Sequence, residues 1–504
     1  GTGTQTALAQ IAAEELSVPF NHIHMVMGDT GTTPDQWLTG AALTIQQGGS
    51  ELRVAAASAR AALIERAAQK WQVPAAQLKV VDGVVIDGNN PERKLGYGEL
   101  IGNGFELKVD PKAKVKTHTE YAVVGQSIAR VDIPAKVSGE HPYVHDFKLP
   151  GMLHARVIRS TQIGARIASV DDQAARKIKG FVRTVRQGEF LAVVCDNEWA
   201  AVKAARAMRV TWTPGPDLPA KAQLDAAWRK MPLAKEEATQ KVGQIDTAMA
   251  GAAKKVQASY HFAVQTHASI GPSCAVAKFE NGELVVWSAS QATHSMQHEL
   301  SVITRLPKER IRLVYLDGSG CYGRNGHEDA SADAALIAMA IGRPVRVQWM
   351  RHDETALAPK SPPRSMDLEA ALDANGNITG WKGDFYIALN HIQAFKPLDF
   401  PLLAAAETGV PRPGNWVGFL FQNAGAPYAV PNIQVTTKHI EQTFLRSAHL
   451  RSPGRIENSF ANESFMDEVA HAAGADAAEF RIRHLQDPRA KDVMQAVLKA
   501  AQWQ

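Results

Sequence analysis

The residues of this chain that are best suited to chemistry lie between positions 285 and 329. A run of β-forming residues ends in a turn at Gln291, and a loop interrupted by glycines follows at 318–324, with the sequence GSGCYGR. Glycines leave room for backbone N–H groups to approach an anion or an oxo group closely. This stretch therefore predicts a ligand site built by backbone donors at the end of a strand.

Alternating elements position these residues. Residues 284–288 and 312–316 have the β-branched and apolar pattern of strands, and the amphipathic stretch 296–306 between them predicts a helix. His327-Glu328-Asp329 follows the loop, and its acidic pair is favoured in the first turn of another helix. Further towards the N-terminus, Asp82-Gly83 predicts the turn of a hairpin spanning 78–87.

Two histidines on the helix after Gln291 suggest a different chemistry. His294 and His298 are four residues apart on one helix face, with Glu299 adjacent, and a zinc site could use this spacing. The sequence contains no HExxH motif, however, and no third ligand stands at a recognisable offset. Solvated histidines on the helix surface are the favoured interpretation, and a zinc hydrolase is an alternative.

Composition limits the class of protein. The 504 residues predict roughly three to four packed units, and 45% hydrophobic with 21% charged residues is typical of a globular chain. The 55 basic and 51 acidic residues are spread along the sequence, which argues against a nucleic-acid partner. No apolar run reaches the ~20 residues that span a bilayer. The three cysteines form no CxxC pair, so the chain carries no iron–sulfur cluster of its own.

The pattern around the loop resembles the large subunit of the molybdenum hydroxylases, the xanthine dehydrogenase and aldehyde oxidoreductase family. Gln291 matches the family's glutamine, which hydrogen-bonds an oxo ligand of molybdenum. Residues 319–324 match the family's GGGFGGK-type loop, with Ser319 and Cys321 in place of glycines and Tyr322 in place of phenylalanine. Gln291 precedes Tyr322 by 31 residues, which is the family's spacing.

Two further motifs support the resemblance from the two ends of the chain. The opening GTGTQT resembles the GQGxxT turn that holds the pyranopterin, and Arg451 matches the arginine of the segment that lines the molybdenum pocket. The order of the motifs is that of the isoquinoline 1-oxidoreductase and nicotinate dehydrogenase type. The resemblance implies no direct metal ligand and these cofactor-binding residues: Gly1, Gly3, Thr6, Gln291, Gly320, Cys321, Tyr322, Gly323, Arg324 and Arg451.

The family's architecture is mixed α/β and multidomain, with an inserted small α/β hammerhead domain. Applied to this chain, it predicts an N-terminal molybdopterin-binding segment at 1–125, the hammerhead domain at 132–213, a linker and helix at 214–254, and a second molybdopterin-binding domain at 255–504. The prolines and glycine of 214–219 support the linker. The segment around His267 resembles a family segment beside the substrate channel, which suggests a role in the pocket wall. The stretch 390–415, which matches the family poorly and is rich in proline and apolar residues, is interpreted either as a channel loop of the pocket wall or as a subunit interface.

The implied activity is that of a molybdenum-dependent oxidoreductase. It oxidises an aldehyde or N-heteroaromatic carbon, with water as the oxygen source. The expected cofactor is a molybdenum–pyranopterin, as the cytosine dinucleotide. The electrons would leave to a small subunit with [2Fe–2S] clusters, and a c-type cytochrome is a possible final acceptor in this branch.

The catalytic base of the family has no counterpart in the sequence. Family members place a GxGE glutamate after the arginine segment, and no such motif follows Arg451. We therefore expect no catalytic residue in this chain, which we interpret as a fragment or one piece of a split subunit, with the remainder as a partner. A non-catalytic scaffold that keeps the fold is a further alternative. The sequence does not indicate a compartment.

Overall fold

The computed structural model describes residues 2–104, 106–389, 402–410 and 419–503. The chain divides into two compact units. The first contains Gly1–Tyr143 together with Gln291–His294 and Leu313–Tyr315, and the second contains the remaining segments. No helix within the described ranges is both long and apolar enough to cross a bilayer.

The first unit combines a small antiparallel sheet with α-helices. Its elements are α1 (Thr4–Leu16), α2 (Ser50–Trp71), β1 (Leu78–Val81), β2 (Val84–Asp87), β3 (Lys94–Gly96), α3 (Tyr97–Ile101) and α4 (Ile133–Ser138). The strands run in the order β1-β2-β3. Asp82 and Gly83, both with positive φ, form the turn between β1 and β2, so the predicted hairpin is confirmed.

A buried carboxylate fixes the position of α1. Glu14, which is 1% exposed, accepts hydrogen bonds from the backbone N–H groups of Ala122, Val123 and Val124 at 2.8, 2.6 and 3.0 Å. It also accepts one from Lys116 Nζ at 2.8 Å. Burial opposes the charge, but these donors outweigh that effect and lower the pKa of Glu14. Helix α1, which follows the GTG turn, is therefore hydrogen-bonded to the segment 116–124.

The second unit contains most of the secondary structure. Its N-terminal elements are β4 (Leu153–Val157), β5 (Arg166–Asp171), α5 (Gln173–Arg176), β6 (Phe181–Gln187), β7 (Phe190–Cys195), α6 (Glu198–Ala207), β8 (Arg209–Thr213), α7 (Leu224–Arg229), β9 (Leu233–Val242), α8 (Ile245–Ala250) and β10 (Lys254–Phe262). They are followed by β11 (Cys274–Glu280), β12 (Glu283–Ser288), α9 (Thr293–Thr304), β13 (Ile311–Tyr315), α10 (Asp329–Ile341), β14 (Val345–Gln348) and α11 (Arg351–Leu357).

The remaining elements are β15 (Arg364–Leu372), β16 (Ile378–Ala388), α12 (Leu403–Glu407), β17 (Ile433–Ile440), α13 (Arg455–Ala472), α14 (Ala477–His484) and α15 (Pro488–Ala501). The first residues of α9 and the last of β13 belong to the first unit. A five-stranded sheet in the order β10-β15-β16-β17-β9 packs Trp381 and Phe385 with Phe465 of α13 and Phe480 of α14 in one buried core.

A second sheet includes strands from the segment 132–213, the predicted hammerhead domain. Its strands lie in the order β12-β11-β14-β4-β7-β6, so strands of the predicted hammerhead segment join strands from beyond position 255. The junction is parallel, with Leu153 opposite Val345 and Ala155 opposite Val347. These apolar residues are all buried, and their burial on both sides of the junction favours one continuous sheet.

The segment 214–254, predicted as a linker and helix, also contains a strand. It contains α7 and α8, but between them runs the ten-residue strand β9, which pairs with β17 at the edge of the five-stranded sheet. The sequence of β9, LAKEEATQKV, is largely exposed. Charged residues are common on edge strands, where they prevent pairing with further strands. Because of these charges, β9 lacks the alternating hydrophobic pattern from which a strand is predicted.

Candidate functional site

The glycine loop lies between β13 and α10, and three of its residues have left-handed backbone. Gly320, Tyr322 and Gly323 have φ angles of 139°, 57° and 102°. Ser319 and Cys321, which replace family glycines, do not have positive φ. The two replacements therefore fall at positions where an ordinary side chain costs no backbone strain, whereas Tyr322 bears the strain of a non-glycine residue in this region.

The loop contacts the segment that contains Arg451. A Cβ at Gly323 would overlap the carbonyl oxygen of His449, so only glycine allows this approach. Two residues further along, the N–H of Arg451 donates to the carbonyl oxygen of Tyr322 at 2.6 Å. The side chain of Arg451 is exposed. The structure thus brings together two of the motifs that the sequence placed more than a hundred residues apart.

Two predicted donors of the loop are used inside the loop itself. The N–H of Gly323 donates to Cys321 Sγ at 3.4 Å, and the N–H of Arg324 donates to the carbonyl oxygen of Cys321 at 2.9 Å. We expected both N–H groups to face a ligand. Their role here is to hold the tight turn that presents Gly320 and Tyr322.

The side chain of Arg324 also has an internal role. It is 1% exposed, and Nε donates to Glu354 Oε1 at 2.9 Å while Nη2 donates to Asp329 Oδ2 at 3.2 Å. Its third nitrogen, Nη1, donates to the carbonyl oxygen of His327. Burial disfavours the charge, but the two carboxylates outweigh it and raise the pKa of Arg324. Arg324 is thus an anchor beneath the loop, and its guanidinium nitrogens are directed to protein acceptors.

Asp329 extends this buried network. Its carboxylate accepts two hydrogen bonds from Arg446, at 2.6 and 2.8 Å, and one from the N–H of Leu403 at 3.0 Å. Burial alone would raise the pKa of Asp329, but the charge of Arg446 and its hydrogen bonds hold it well below the ordinary value. A paired, fully buried ion network of this kind fixes the geometry of the loop above it.

Three buried histidines are linked through His449, which contacts Gly323. His267 Nε2 lies 2.9 Å from the carbonyl oxygen of His449, and because a carbonyl only accepts, Nε2 carries the proton. The rings of His327 and His449 are 5.8 Å apart. Burial lowers the pKa of His267 to about 4 and that of His449 to about 3, and it also lowers the pKa of His327. All three are neutral at pH 7, so they pack the loop without adding charge.

Gln291 is held by its neighbours in the first unit. Its Nε2 donates to the carbonyl oxygen of Thr39 at 2.7 Å, and the N–H of Thr39 donates back to the carbonyl oxygen of Gln291 at 2.8 Å. The side chain is therefore oriented by the 39–40 turn, a partner that the sequence did not reveal.

The predicted pterin turn also lies in the first unit. Gly3 has φ 75° and precedes α1, and a Cβ there would lie 3.4 Å from Arg130 Cδ. Thr6, predicted to bind the cofactor, accepts the N–H of Val131 at 3.0 Å and is buried. Its hydroxyl thus joins the turn to the segment that contains Arg130, which sequence reasoning missed. Gly1 lies outside the described residues.

The histidine pair on α9 is not solvated as expected. His294 and His298 are both partly buried, and His294 Nε2 lies 3.1 Å from the carbonyl oxygen of Thr33. In the part of the chain that the structure describes, no group of three or more His, Cys, Asp or Glu residues is arranged to hold a metal ion. The pair therefore lacks the third ligand that a zinc site needs.

Three parts of the sequence match models of known domains. Residues 1–137 match a molybdopterin cofactor-binding domain, and residues 138–190 match the a/b hammerhead domain of aldehyde oxidase and xanthine dehydrogenase. Residues 230–410 and 412–485, half of the chain, match a further molybdopterin cofactor-binding domain. The chain belongs to the molybdopterin cofactor-binding family. A molybdenum–pterin cofactor and the mixed α/β multidomain fold follow from this membership.

Relatives of this molybdopterin-binding chain include components of dehydrogenases. It is 37% identical to one of the subunits of nicotinate dehydrogenase from Pseudomonas putida, with 100% of this chain and 42% of that protein covered. It is 28% identical to the beta subunit of isoquinoline 1-oxidoreductase from Brevundimonas diminuta, with 100% and 70% covered. The chain thus spans less than half of the first relative. Neither the zinc hydrolase nor the scaffold alternative is supported by these matches.

Solved structures show the same fold. Quinoline 2-oxidoreductase from Pseudomonas putida 86 has a TM-score of 0.59 at 19% identity, with 72% of this chain and 50% of that chain covered. The aldehyde oxidoreductase from Desulfovibrio gigas has a TM-score of 0.57 at 21% identity, with 71% and 43% covered. Most of the predicted pocket wall at 390–415 falls outside the described residues.

Proposed function

We propose that this chain is the molybdopterin-binding part of a molybdenum hydroxylase that oxidises an N-heteroaromatic or aldehyde carbon with water as the oxygen source. The overall change is RH + H2O to ROH with release of two electrons and two protons. The observation that carries the proposal is the junction of the glycine loop and the Arg451 segment. Gly323 and the Tyr322–Arg451 hydrogen bond create a close backbone approach in a chain of this family.

The residues around this junction fit a bulky, oxo-bearing cofactor. Gly320 and Gly323 let the loop backbone pack closely against Ser269 and His449, and the exposed Arg451 guanidinium offers donors beside the loop. A bound molybdenum–pterin supplies the two-electron oxidation. The protein residues bind and orient it, and Arg324 with its carboxylates keeps the loop rigid.

Gln291, in the first unit, is proposed as a donor to an oxo group of a molybdenum–pterin cofactor. Its side chain is a primary amide, which donates through N–H groups to an oxygen acceptor. The bond from Nε2 to the carbonyl oxygen of Thr39 orients this amide. A fixed amide loses less freedom on binding a ligand than a mobile one does.

The start of α1 suits the phosphates of a dinucleotide form. Gly3 provides no side-chain cap, so the first N–H groups of this 13-residue helix remain oriented for an anion. Arg130 lies against Gly3, and Lys136 donates to Asp132 at 2.8 Å, which Arg130 also contacts at 2.6 Å. The two cationic side chains of Arg130 and Lys136 share the single carboxylate of Asp132, which leaves a net positive charge at this place. We propose Gly3 and Arg130 as phosphate-binding residues of a cytosine dinucleotide form.

The partners follow from the same proposal. The two electrons need an acceptor, and the chain has only three cysteines, which are not clustered. A small subunit with [2Fe–2S] clusters is the proposed first acceptor, with a c-type cytochrome beyond it. The general base is proposed to come from a glutamate that this sequence does not contain, because no GxGE motif follows Arg451.

Metal and pterin content test the proposal. The natural full-length protein is purified with its partner subunits, and molybdenum and the released nucleotide are measured by mass spectrometry. We expect molybdenum near one per complex with a cytosine nucleotide. Arg451→Ala and Gln291→Ala are expected to reduce molybdenum retention, and Arg310→Ala, an exposed arginine in the same unit as Arg451, serves as the control. A matured complex without molybdenum would overturn the proposal, and a different nucleotide would overturn its dinucleotide part.

A further inference from the structure

A small polar cavity lies beneath the glycine loop. It is lined by the backbone of Gly318 and Gly320 and by the side chains of Ser269, Ser319, His145 and Glu328 among others. About 10 Å³ of it is open to the centre of a water molecule, which is the space that one water needs. The cavity is lined by residues of the second unit, among them Gly318, Ser319, Gly320 and Arg324 of the glycine loop.

Several polar atoms at this cavity have no hydrogen-bond partner among the described residues. They are the hydroxyl oxygens of Ser269 and Ser319 and Nδ1 of His145. His145 Nε2 lies 2.8 Å from the carbonyl oxygen of Pro272, so Nε2 carries the proton and Nδ1 is an acceptor. Buried polar atoms without partners are costly, and a single water with two to four bonds would satisfy them.

Glu328 adds an acid to this cavity. It is 2% exposed, and within the described ranges its carboxylate makes no hydrogen bond or ion pair. Its position directly before α10 is set by the buried network, because Arg324 and Asp329 on either side are both ion-paired. The carboxyl therefore lines the cavity without another role in the structure.

The charges around Glu328 set its affinity for a proton. Burial raises its pKa, Arg324 opposes the rise, and Glu354 and Asp329 add to it, so the pKa of Glu328 is about 7. The thiols of Cys274 and Cys321 also face it, and burial raises the pKa of both, so they remain neutral. A buried acid with no committed partner is half protonated at neutral pH.

We propose that Glu328, Ser269, Ser319 and His145 form a buried proton-holding site built around one water molecule, and that this site stores a proton released during substrate oxidation. When a proton binds to the water, another proton of that water transfers to the Glu328 carboxylate. The water is regenerated, and the net change is one new O–H bond on Glu328. The storage role rests on the proposed function, whereas the site itself does not.

Infrared spectroscopy tests the site independently of molybdenum. The C=O stretch of a protonated carboxyl group shifts in D2O and is followed in the full complex as the pH is changed. We expect a band that titrates with a midpoint of about 7, is lost in Glu328→Gln and is kept in Glu309→Gln, an exposed glutamate of the same unit. Ser319→Ala is expected to shift the midpoint, because the water loses one partner. A band that survives in Glu328→Gln would refute the site.

Steady-state kinetics test the storage role. In the molybdenum-loaded complex, Glu328→Gln is expected to remove an ionisation near pH 7 from the profile of kcat and to leave KM unchanged. Glu309→Gln is expected to keep the wild-type profile. A variant that loses the infrared band but keeps the kcat profile would show that turnover does not use the proton. Absence of molybdenum would instead count against the proposed function, and the infrared titration would still decide the site.

Discussion

Replacing Gly323 with alanine tests whether the approach of the loop to His449 is as tight as the structure shows. The new Cβ would overlap the carbonyl oxygen of His449, and φ at this position is 102°, where side chains are strained. A strained backbone conformation costs about 1–3 kcal/mol, and overpacking adds about 1–3 kcal/mol. We therefore expect the free energy of unfolding to fall by about 2–6 kcal/mol. This cost is enough to move the loop away from the Arg451 segment.

Gly342→Ala is the matched control for this variant. Gly342 also has a left-handed backbone, with φ 64°, but no atom lies within 4 Å of the position that a Cβ would take. The Gly342→Ala variant should lose only the cost of a side chain on left-handed backbone, about 1–2 kcal/mol of unfolding free energy. Urea unfolding followed by circular dichroism gives the comparison, and molybdenum content reports whether the loop still supports the cofactor. Equal midpoints and equal molybdenum in the two variants would refute the argument for a close approach.

Three further predictions concern buried charge. Glu14→Gln should destabilise the first unit by about 2–4 kcal/mol, because the carboxylate accepts three backbone N–H groups, and thermal unfolding checks it. Arg324→Lys should lower the unfolding midpoint although it keeps the charge, because one amine cannot replace the fork that binds Glu354 and Asp329. Stability should fall as the pH decreases from 6.5 towards 4, since the folded state holds His267 neutral while the unfolded state binds a proton. Denaturant midpoints measured across that range check it, and they should fall less steeply in His267→Gln, in which His327 and His449 still contribute.

The motifs and the elements between them could be predicted from the sequence because their signals are local. The Asp82-Gly83 hairpin and the strand–helix–strand order around Gln291 depend on nearby turn residues and on hydrophobic period. The direction of Arg324 could not be predicted. It depends on Glu354, thirty residues away, and a motif does not reveal whether an arginine faces a ligand or a buried carboxylate.

The pairing of distant strands was the other feature that could not be predicted from the sequence. The charged strand β9 has no apolar alternation, and only its pairing with β17 makes it a strand. The same holds for the parallel pairing of β4 with β14, which joins two distant parts of the chain. Such long-range pairings depend on which surfaces the rest of the chain leaves to be covered, and this information is not present in any short window.

In the glycine loop, the residues with positive φ that set the backbone path differ from those at which side chains can be exchanged without backbone strain. Positions 320, 322 and 323 determine the path of the backbone, and Ser319 before them and Cys321 among them occupy ordinary conformations. A mutation at 319 can therefore exchange a hydroxyl for a hydrogen or a thiol without backbone strain, whereas a mutation at 321 also changes the acceptor of the Gly323 N–H. In an evolving lineage, position 319 is where the polarity of the loop can be adjusted without rebuilding its backbone.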